Sequence, residues 1–363
     1  MVQIFKIPWA AWYGDEDLDL EFPDTWEVKL FKMKDAPEIS KEEIETSINN
    51  PVRSPTLKEI AQGKQNAVIV VEDISRPTSM EIILNVVLTQ LNTVGIQDEN
   101  ITIIYALGSH RPLDRRDSIK KLGLDIVDRI NIENHHPYEN LIYLGESQMG
   151  TPIYVNQTYY DADLKIAIGS VVPHPLAGYG GGAKIILPGV SGIETLHANH
   201  VLAVKGSSGG IGFVTELRKD IENVCKKVGL DFSINIVSTM RRGIAGIFAG
   251  HFIEAHRKAM ELAKEVYSTE MPTNLDLDIG FFNLYPEDTE LFQAIKGFNF
   301  IFSSKTFLRR YSAIIFLTAA SEGRGFHSLQ GETGAKLYQN WGDSIIFKGF
   351  MKKKNFGIFS PNI

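Results

Sequence analysis

The sequence predicts an α/β protein of two α/β domains with a cleft between them, the larger N-terminal one built on mainly parallel strands. Three observations predict it. Continuous apolar runs at 66–71 (NAVIVV), 101–107 (ITIIYAL) and 164–172 (LKIAIGSVV) have the pattern of parallel strands buried on both faces. A polar loop and then a helical pattern follow each run, the rhythm of successive strand–helix units. Residues 268–274 (STEMPTN) form a polar, proline-containing break after which that rhythm restarts. The expected division is an N-terminal domain over 1–267, a linker over 268–274 and a C-terminal α/β domain over 275–363.

In chain order, 3–7, 18–22 and 26–31 read as short strands separated by Pro and Asp turns. Ser54-Pro55 is a helix-start signal, a cap followed by proline at the first helical position, for a short helix to about residue 62. Helical patterns at 79–94 and 114–122 follow the first two apolar runs, and short strands are expected at 141–144 and 152–155. Ser191 and Glu194 have capping-box spacing for a helix from about Gly192 to Lys205. An amphipathic helix at 216–229, strands at 232–237 and 244–248 and a helix at 251–267 complete the larger domain. The smaller one reads as strand 277–284, helix 289–300, strand 313–317 and a helix within 330–345.

With 363 residues, 44% hydrophobic and 22% charged, the chain has the composition of a globular protein. A net charge of −7 and the lack of a long basic run argue against nucleic-acid binding. No apolar stretch reaches the ~18 residues of a membrane span, and the N-terminus has no signal-peptide pattern. A single cysteine, Cys225, excludes an internal disulfide and lies in a helical pattern that favours a packed thiol. The reading is a cytoplasmic protein without membrane or nucleic-acid partners.

Candidate chemistry gathers at the ends of the apolar runs. In open α/β sheets ligands bind beyond the strands' carboxyl ends. There lie Asp73 and Arg76 in DISRPT, His110 in GSHRP, and His174 in VPHPLAGYGGGAK. His110 and His174, expected to crown neighbouring strands, suit a general base and a general acid near neutral pH. Gly180, Gly181 and Gly182 allow a close backbone approach to a ligand, or simply make a plain connection. Neither the dinucleotide fingerprint nor the P-loop fits them. Lys184 stands in an apolar segment without a neighbouring acid. Arg76 and Lys296 are possible carboxylate clamps. Asp73 could bind a ribose hydroxyl or cap its own loop. His200 has a ring nitrogen suited to a transition metal, with His197 three residues before it on one helix face. His135 and His136 read as structural or surface residues, and His251 and His256, set among Glu and Lys, as a solvated face.

Taken together, DISRPT (73–78), ALGSHRP (106–112), NHHPYE (134–139), GTPIYVN (150–156) and the long block from Ala162 to His200 resemble the nickel-pincer lactate racemase family. YPEDTELFQAIKG (285–297) continues the likeness more weakly. The resemblance implies an isomerase, a racemase or C2-epimerase of a 2-hydroxy acid. It implies a nickel-bound pyridinium bis-thio mononucleotide tethered to Lys184, with His200 as the protein's nickel ligand. His110 and His174 match the acid/base histidines, Arg76 and Lys296 the substrate-engaging positions, and Asp73 a cofactor-contacting aspartate. Proteins that synthesise the cofactor are implied partners.

There are departures. Phe292-Gln293 replaces the Tyr-Ser pair of lactate-specific members, which brings Gln293 to the substrate and points to a larger or differently decorated 2-hydroxy acid. His251 follows Gly250 where the family commonly has Asp. The chain stops earlier than typical members, so its C-terminal domain is expected to be shortened. Two other readings stay open: a metal-dependent hydrolase using His174, His197 and His200, and a non-catalytic protein that holds a nucleotide or anion in the glycine turn.

Overall fold

The computed structural model describes residues 1–205, 212–272, 275–294, 308–323 and 325. It opens with an antiparallel ribbon of β1 (Val2–Trp9) and β2 (Glu16–Pro23), which pairs Val2 with Pro23 and Trp9 with Glu16. The third strand expected at 26–31 does not form. Residues 27–40 run irregularly, and their backbone donors go singly to distant carbonyls: Lys34 to Ser268, Asp35 to Val266 and Ile39 to Ile244. No ladder can build from such scattered partners. A helix that the sequence reading passed over follows, α1 (Lys41–Asn49), started by a reciprocal capping box between Ser40 and Glu43. The next, α2 (Leu57–Ala61), starts on Thr56 rather than Ser54, because Thr56 and Glu59 satisfy each other's backbone donors.

The larger unit then runs β3 (Ala67–Glu72), α3 (Glu81–Thr93), β4 (Ile101–Ala106), α4 (Arg115–Leu122), α5 (Leu124–Arg129) and β5 (Asn131–Asn134). A hairpin of β6 (Leu141–Glu146) and β7 (Pro152–Asn156) leads through α6 (Gln157–Asp161) to β8 (Leu164–Ser170). Two short strands, β9 (Pro173–His174) and β10 (Gly178–Tyr179), precede α7 (Ile193–Lys205). The unit closes with α8 (Glu216–Val228), β11 (Phe232–Ser238), β12 (Ile244–Gly250) and α9 (Glu254–Val266).

Six of these strands form one sheet in the order β12-β11-β8-β3-β4-β5, parallel throughout except for the edge strand β12. The chain builds outward from β3 to β4 and β5, then returns to β8 and builds outward the other way. The boundary between β3 and β8 is therefore a switch point, where consecutive loops diverge and leave a crevice. Both faces are covered. Alternation along β3 sends Ile69 and Val71 into a core with Ile48, Leu84 and Leu88, and Val68 and Val70 into a second core with Leu196, Ile221 and Val224. Each such fully buried side chain contributes about 1.5–3 kcal/mol.

Beyond α9, β13 (Leu277–Asn283), α10 (Leu291–Ala294) and β14 (Leu308–Leu317) follow, the two strands pairing in parallel with Ile279 opposite Ala313. The helix expected over 289–300 is described only as far as Ala294, and the one within 330–345 lies outside the described residues. This second unit rests on the loops of the first. The Asp288 carboxylate accepts from the Ala10 and Ala11 amides, each at 3.1 Å, and Arg111 donates to both oxygens of Glu322 at 2.7 Å. No described helix is long and apolar enough to cross a membrane.

Candidate active site

The three polar loops leave the same ends of β8, β3 and β4, which lie side by side at the switch point. His110 and His174 thus follow β4 and β8, which are not neighbours as expected. β3 separates them, about 10 Å between strand axes, and its own loop places Asp73 and Arg76 in the gap.

A buried ion pair underlies this crevice. Glu72, the last residue of β3, accepts from the Ser170 amide at 2.6 Å and from its hydroxyl at 2.7 Å, which ties β3 to β8. Lys121, wholly buried, donates to Glu72 at 3.2 Å and to the Arg76 carbonyl at 3.1 Å. Burial pulls the Lys121 pKa down, against the charges of Glu72 and Asp73.

Asp73 serves two donors. Its Oδ1 accepts from the Ser75 amide at 2.7 Å, the loop cap expected of it, and its Oδ2 lies 2.6 Å from His110 Nδ1. Burial by itself would raise the Asp73 pKa, but the His110 ring and the Arg76 guanidinium outweigh it and hold the carboxyl well below its usual range. An ionised carboxylate only accepts, so Nδ1 of His110 carries a proton, and in the neutral ring the lone pair then lies on Nε2. That lone pair meets the Gln293 side-chain nitrogen at 2.8 Å. Arg76 donates at 3.0 Å to Glu287, so the second unit reaches both groups.

His174 is held differently. Its Nδ1 accepts from the Leu176 amide at 3.2 Å and the Ala177 amide at 3.1 Å, so a neutral ring bears its proton on Nε2. The glycine turn behind it packs against protein. A Cβ on Gly180 would lie 2.7 Å from the Ser170 carbonyl, one on Gly181 2.8 Å from Val171, and one on Gly182 2.9 Å from His256. Gly181 and Gly182 also have φ of +68° and +57°, which favour glycine. Two buried side chains brace the turn. Arg218 donates to the carbonyls of Ala177 and Gly181 at 3.2 Å each and to that of Tyr179, and His256 Nε2 donates to Gly180 at 2.7 Å.

Lys184 stands on the short 3₁₀ turn Gly182–Ile185. His200, half-buried on α7, donates from Nδ1 to the Leu196 carbonyl at 2.7 Å, which in a neutral ring puts the lone pair on Nε2. Burial first, then the Lys184 and His197 charges, lower the His200 pKa, against the Leu196 contact. A second hydrogen bond that fixes the ring is typical of a metal-ligating histidine. His197 is exposed. Among the described residues no three His, Cys, Asp or Glu side chains converge to hold a metal, so the His174, His197 and His200 set of the hydrolase reading is not assembled.

Lys296 lies outside the described residues. Gln293 is 2% exposed and sits on His110. His135 is buried and structural, its Nε2 3.0 Å from the Ser191 carbonyl, while His136 is exposed. His251 is exposed as expected, but His256 corrects the solvated-face reading, being 1% exposed. It belongs to the inward stripe Ala255, His256, Ala259, Met260 and Ala263, a spacing the sequence offered among the distracting Glu and Lys. Arg218 was missed for the same reason. Cys225 is buried, a packed thiol.

The lactate racemase N-terminal domain model matches residues 13–212. A lactate racemase from Lactiplantibacillus plantarum is 31% identical over 316 residues, which covers 85% of this chain and 71% of the relative. One from Thermoanaerobacterium thermosaccharolyticum is 28% identical over 322 residues, 86% of this chain and 74% of the relative. The structure of the lactate racemase apoprotein from Thermoanaerobacterium thermosaccharolyticum superposes with a TM-score of 0.74 at 26% identity, covering 93% of this chain and 78% of that one. A Thermotoga maritima protein shares the fold at a TM-score of 0.59 and 22% identity, over 71% of this chain and 66% of that one. With the family model spanning more than half of its residues, this chain belongs to the lactate racemase family and is an isomerase.

Proposed function

We propose that the protein racemises lactate or a related 2-hydroxy acid, or epimerises such an acid at C2, with His110 and His174 as the proton-handling groups. The observation that carries the reading is the Asp73–His110 pair, 2.6 Å apart at the switch point beside Arg76, within a chain whose relatives are lactate racemases. Arg76 would hold the substrate carboxylate. His110, its Nδ1 proton anchored on Asp73, offers Nε2 as base to the 2-hydroxyl. His174, with Nδ1 committed to two amides, offers an Nε2 proton from the other side. Inversion requires the C2 hydrogen to leave as hydride and return on the opposite face; one ring would take the hydroxyl proton as the C2 carbonyl forms, and the other would return a proton to that oxygen as the carbonyl is reduced.

The residues present also fit the nickel-pincer nucleotide of the resemblance. His200, its Nδ1 proton given to the Leu196 carbonyl, can present Nε2 as a nitrogen ligand, and Lys184, whose charge it feels, would form the covalent tether. When bound, that group supplies a hydride acceptor for the substrate's C2. The fixed turn of Gly180, Gly181 and Gly182, braced by Arg218 and His256, would set where the Lys184 backbone stands. Cofactor-synthesis proteins are then required partners.

The test is intact mass and metal content of protein from a host that makes the cofactor, with lactate enantiomers followed by chiral chromatography. The expected result is a mass increase and about one nickel per chain, both absent in Lys184→Ala, together with interconversion of the enantiomers. Unmodified Lys184 under loading conditions that modify a lactate racemase control would overturn the cofactor reading. A loaded protein inactive on lactate and on longer 2-hydroxy acids would overturn the reaction.

A further inference from the structure

The two groups assigned to the substrate are occupied by side chains of the second unit. Arg76 Nη1 meets Glu287 Oε1 at 3.0 Å, with the two side chains only 12% and 20% exposed. His110 Nε2 accepts from the Gln293 amide at 2.8 Å. A carboxylate on the guanidinium and a hydrogen-bond donor on the imidazole are the contacts a 2-hydroxy acid would make with its carboxylate and its 2-hydroxyl. The void beside Asp73 and His110, lined on its far side by Arg111, Thr289, Glu290 and Glu322, is about 10 Å³. That is room for a single water at most, and not for a three-carbon acid.

We propose that Glu287 and Gln293 are built-in competitors of the substrate, Glu287 for its carboxylate and Gln293 for its hydroxyl, and that this competition sets the affinity for 2-hydroxy acids. The inference rests on the reading of Arg76 and His110 as substrate-holding groups. Exchange is chemically even: one carboxylate replaces another on Arg76, and a hydroxyl donor replaces an amide donor on His110. The Gln293 contact is also incompletely satisfied, because its buried Oε1 has no hydrogen-bond partner among the described residues. A buried acceptor left unmade is costly, so the closed arrangement gives way to a ligand that frees the Gln293 side chain. A neutral analogue such as lactamide cannot replace Glu287 and is excluded by charge.

The test is calorimetric titration of lactate, and of lactamide, into wild-type protein, Glu287→Gln and Arg76→Gln, with KM measured on the loaded enzymes. Glu287→Gln is expected to bind lactate about three- to tenfold more tightly, the size of a partly buried ion pair, and to lower KM by the same factor. Arg76→Gln is expected to lose lactate binding, and lactamide to bind neither wild-type protein nor Arg76→Gln. Where Glu287→Gln fails to fold, Glu287→Asp keeps the charge but shortens the reach, and the same tightening is expected. Equal or weaker lactate binding without Glu287, or no binding to either protein, overturns the proposal. Lactate binding that tightens without Glu287 in a protein that never racemises it would leave the competition standing and overturn the proposed reaction instead.

Discussion

Replacing Lys121 with methionine removes the cation from a pair with no access to water. Lys121 is 0% exposed and Glu72 4%, 3.2 Å apart. The Glu72 carboxylate would keep its two bonds to Ser170 but lose its only ion-pair partner among the described residues. Stranding a buried charge in this way costs about 3–5 kcal/mol. With a urea m-value of about 3 kcal/mol per M for a chain this long, the midpoint should fall by about 1–1.7 M. Far-UV circular dichroism would follow the sheet, and Trp12, whose ring lies 5.4 Å from the ammonium, makes tryptophan fluorescence a local reporter. The double variant Glu72→Gln/Lys121→Met carries no stranded charge, and glutamine can still bond Ser170. It should recover at least about 2 kcal/mol, a coupling energy well outside additivity. A Lys121→Met cost under about 1 kcal/mol, or a strictly additive double variant, would refute the claim that this ion pair pins β3 to β8.

Asp73→Asn should lower kcat for lactate racemisation by about 10²–10⁴-fold. An amide can hold the His110 ring in the opposite tautomer, with the proton on Nε2, and unimpaired turnover would show that Asp73 does not set the ring's state. The second concerns pH. Burial, only partly opposed by the Ser191 carbonyl, lowers the His135 pKa to about 4. The unfolded chain, with its histidine near about 6.5, binds a proton that the folded chain refuses. Stability from this residue is therefore full above about pH 6.5 and is lost as pH falls toward 4. Between pH 7 and pH 5 the loss is about 2 kcal/mol, and His135→Asn should flatten the fall in urea midpoint by that amount. An unchanged pH dependence in the variant would count against it.

Local pattern made the central strands legible. β3, β4 and β8 announce themselves as apolar runs because both faces of a parallel sheet are covered, and the polar loops at their ends carry Asp73, Arg76, His110 and His174. Their lateral order is not a local property. That β3 lies between β4 and β8 depends on which edge the chain returns to, and no spacing records that. The irregular course of 27–40 has the same cause, since alternation without a partner strand leaves nothing to pair with. The Ser40–Glu43 capping box was readable and would have marked α1. His256 and Arg218 were harder: each sits in a charged helix, and only the tertiary position of the glycine turn explains why an imidazole and a guanidinium face inward.

The braces of that turn come from α8 and α9, whereas Glu287 and Gln293 belong to the second unit. On the proposed reading, the platform under Lys184 and the part of the protein that meets the substrate are thus built from separate stretches of sequence. Drift within 285–293 can retune which acid is accepted without disturbing the lysine's seat, while changes at Arg218 or His256 would unsettle every substrate alike. A family constructed on this plan can diversify its chemistry at one end of the chain and keep a common mounting at the other.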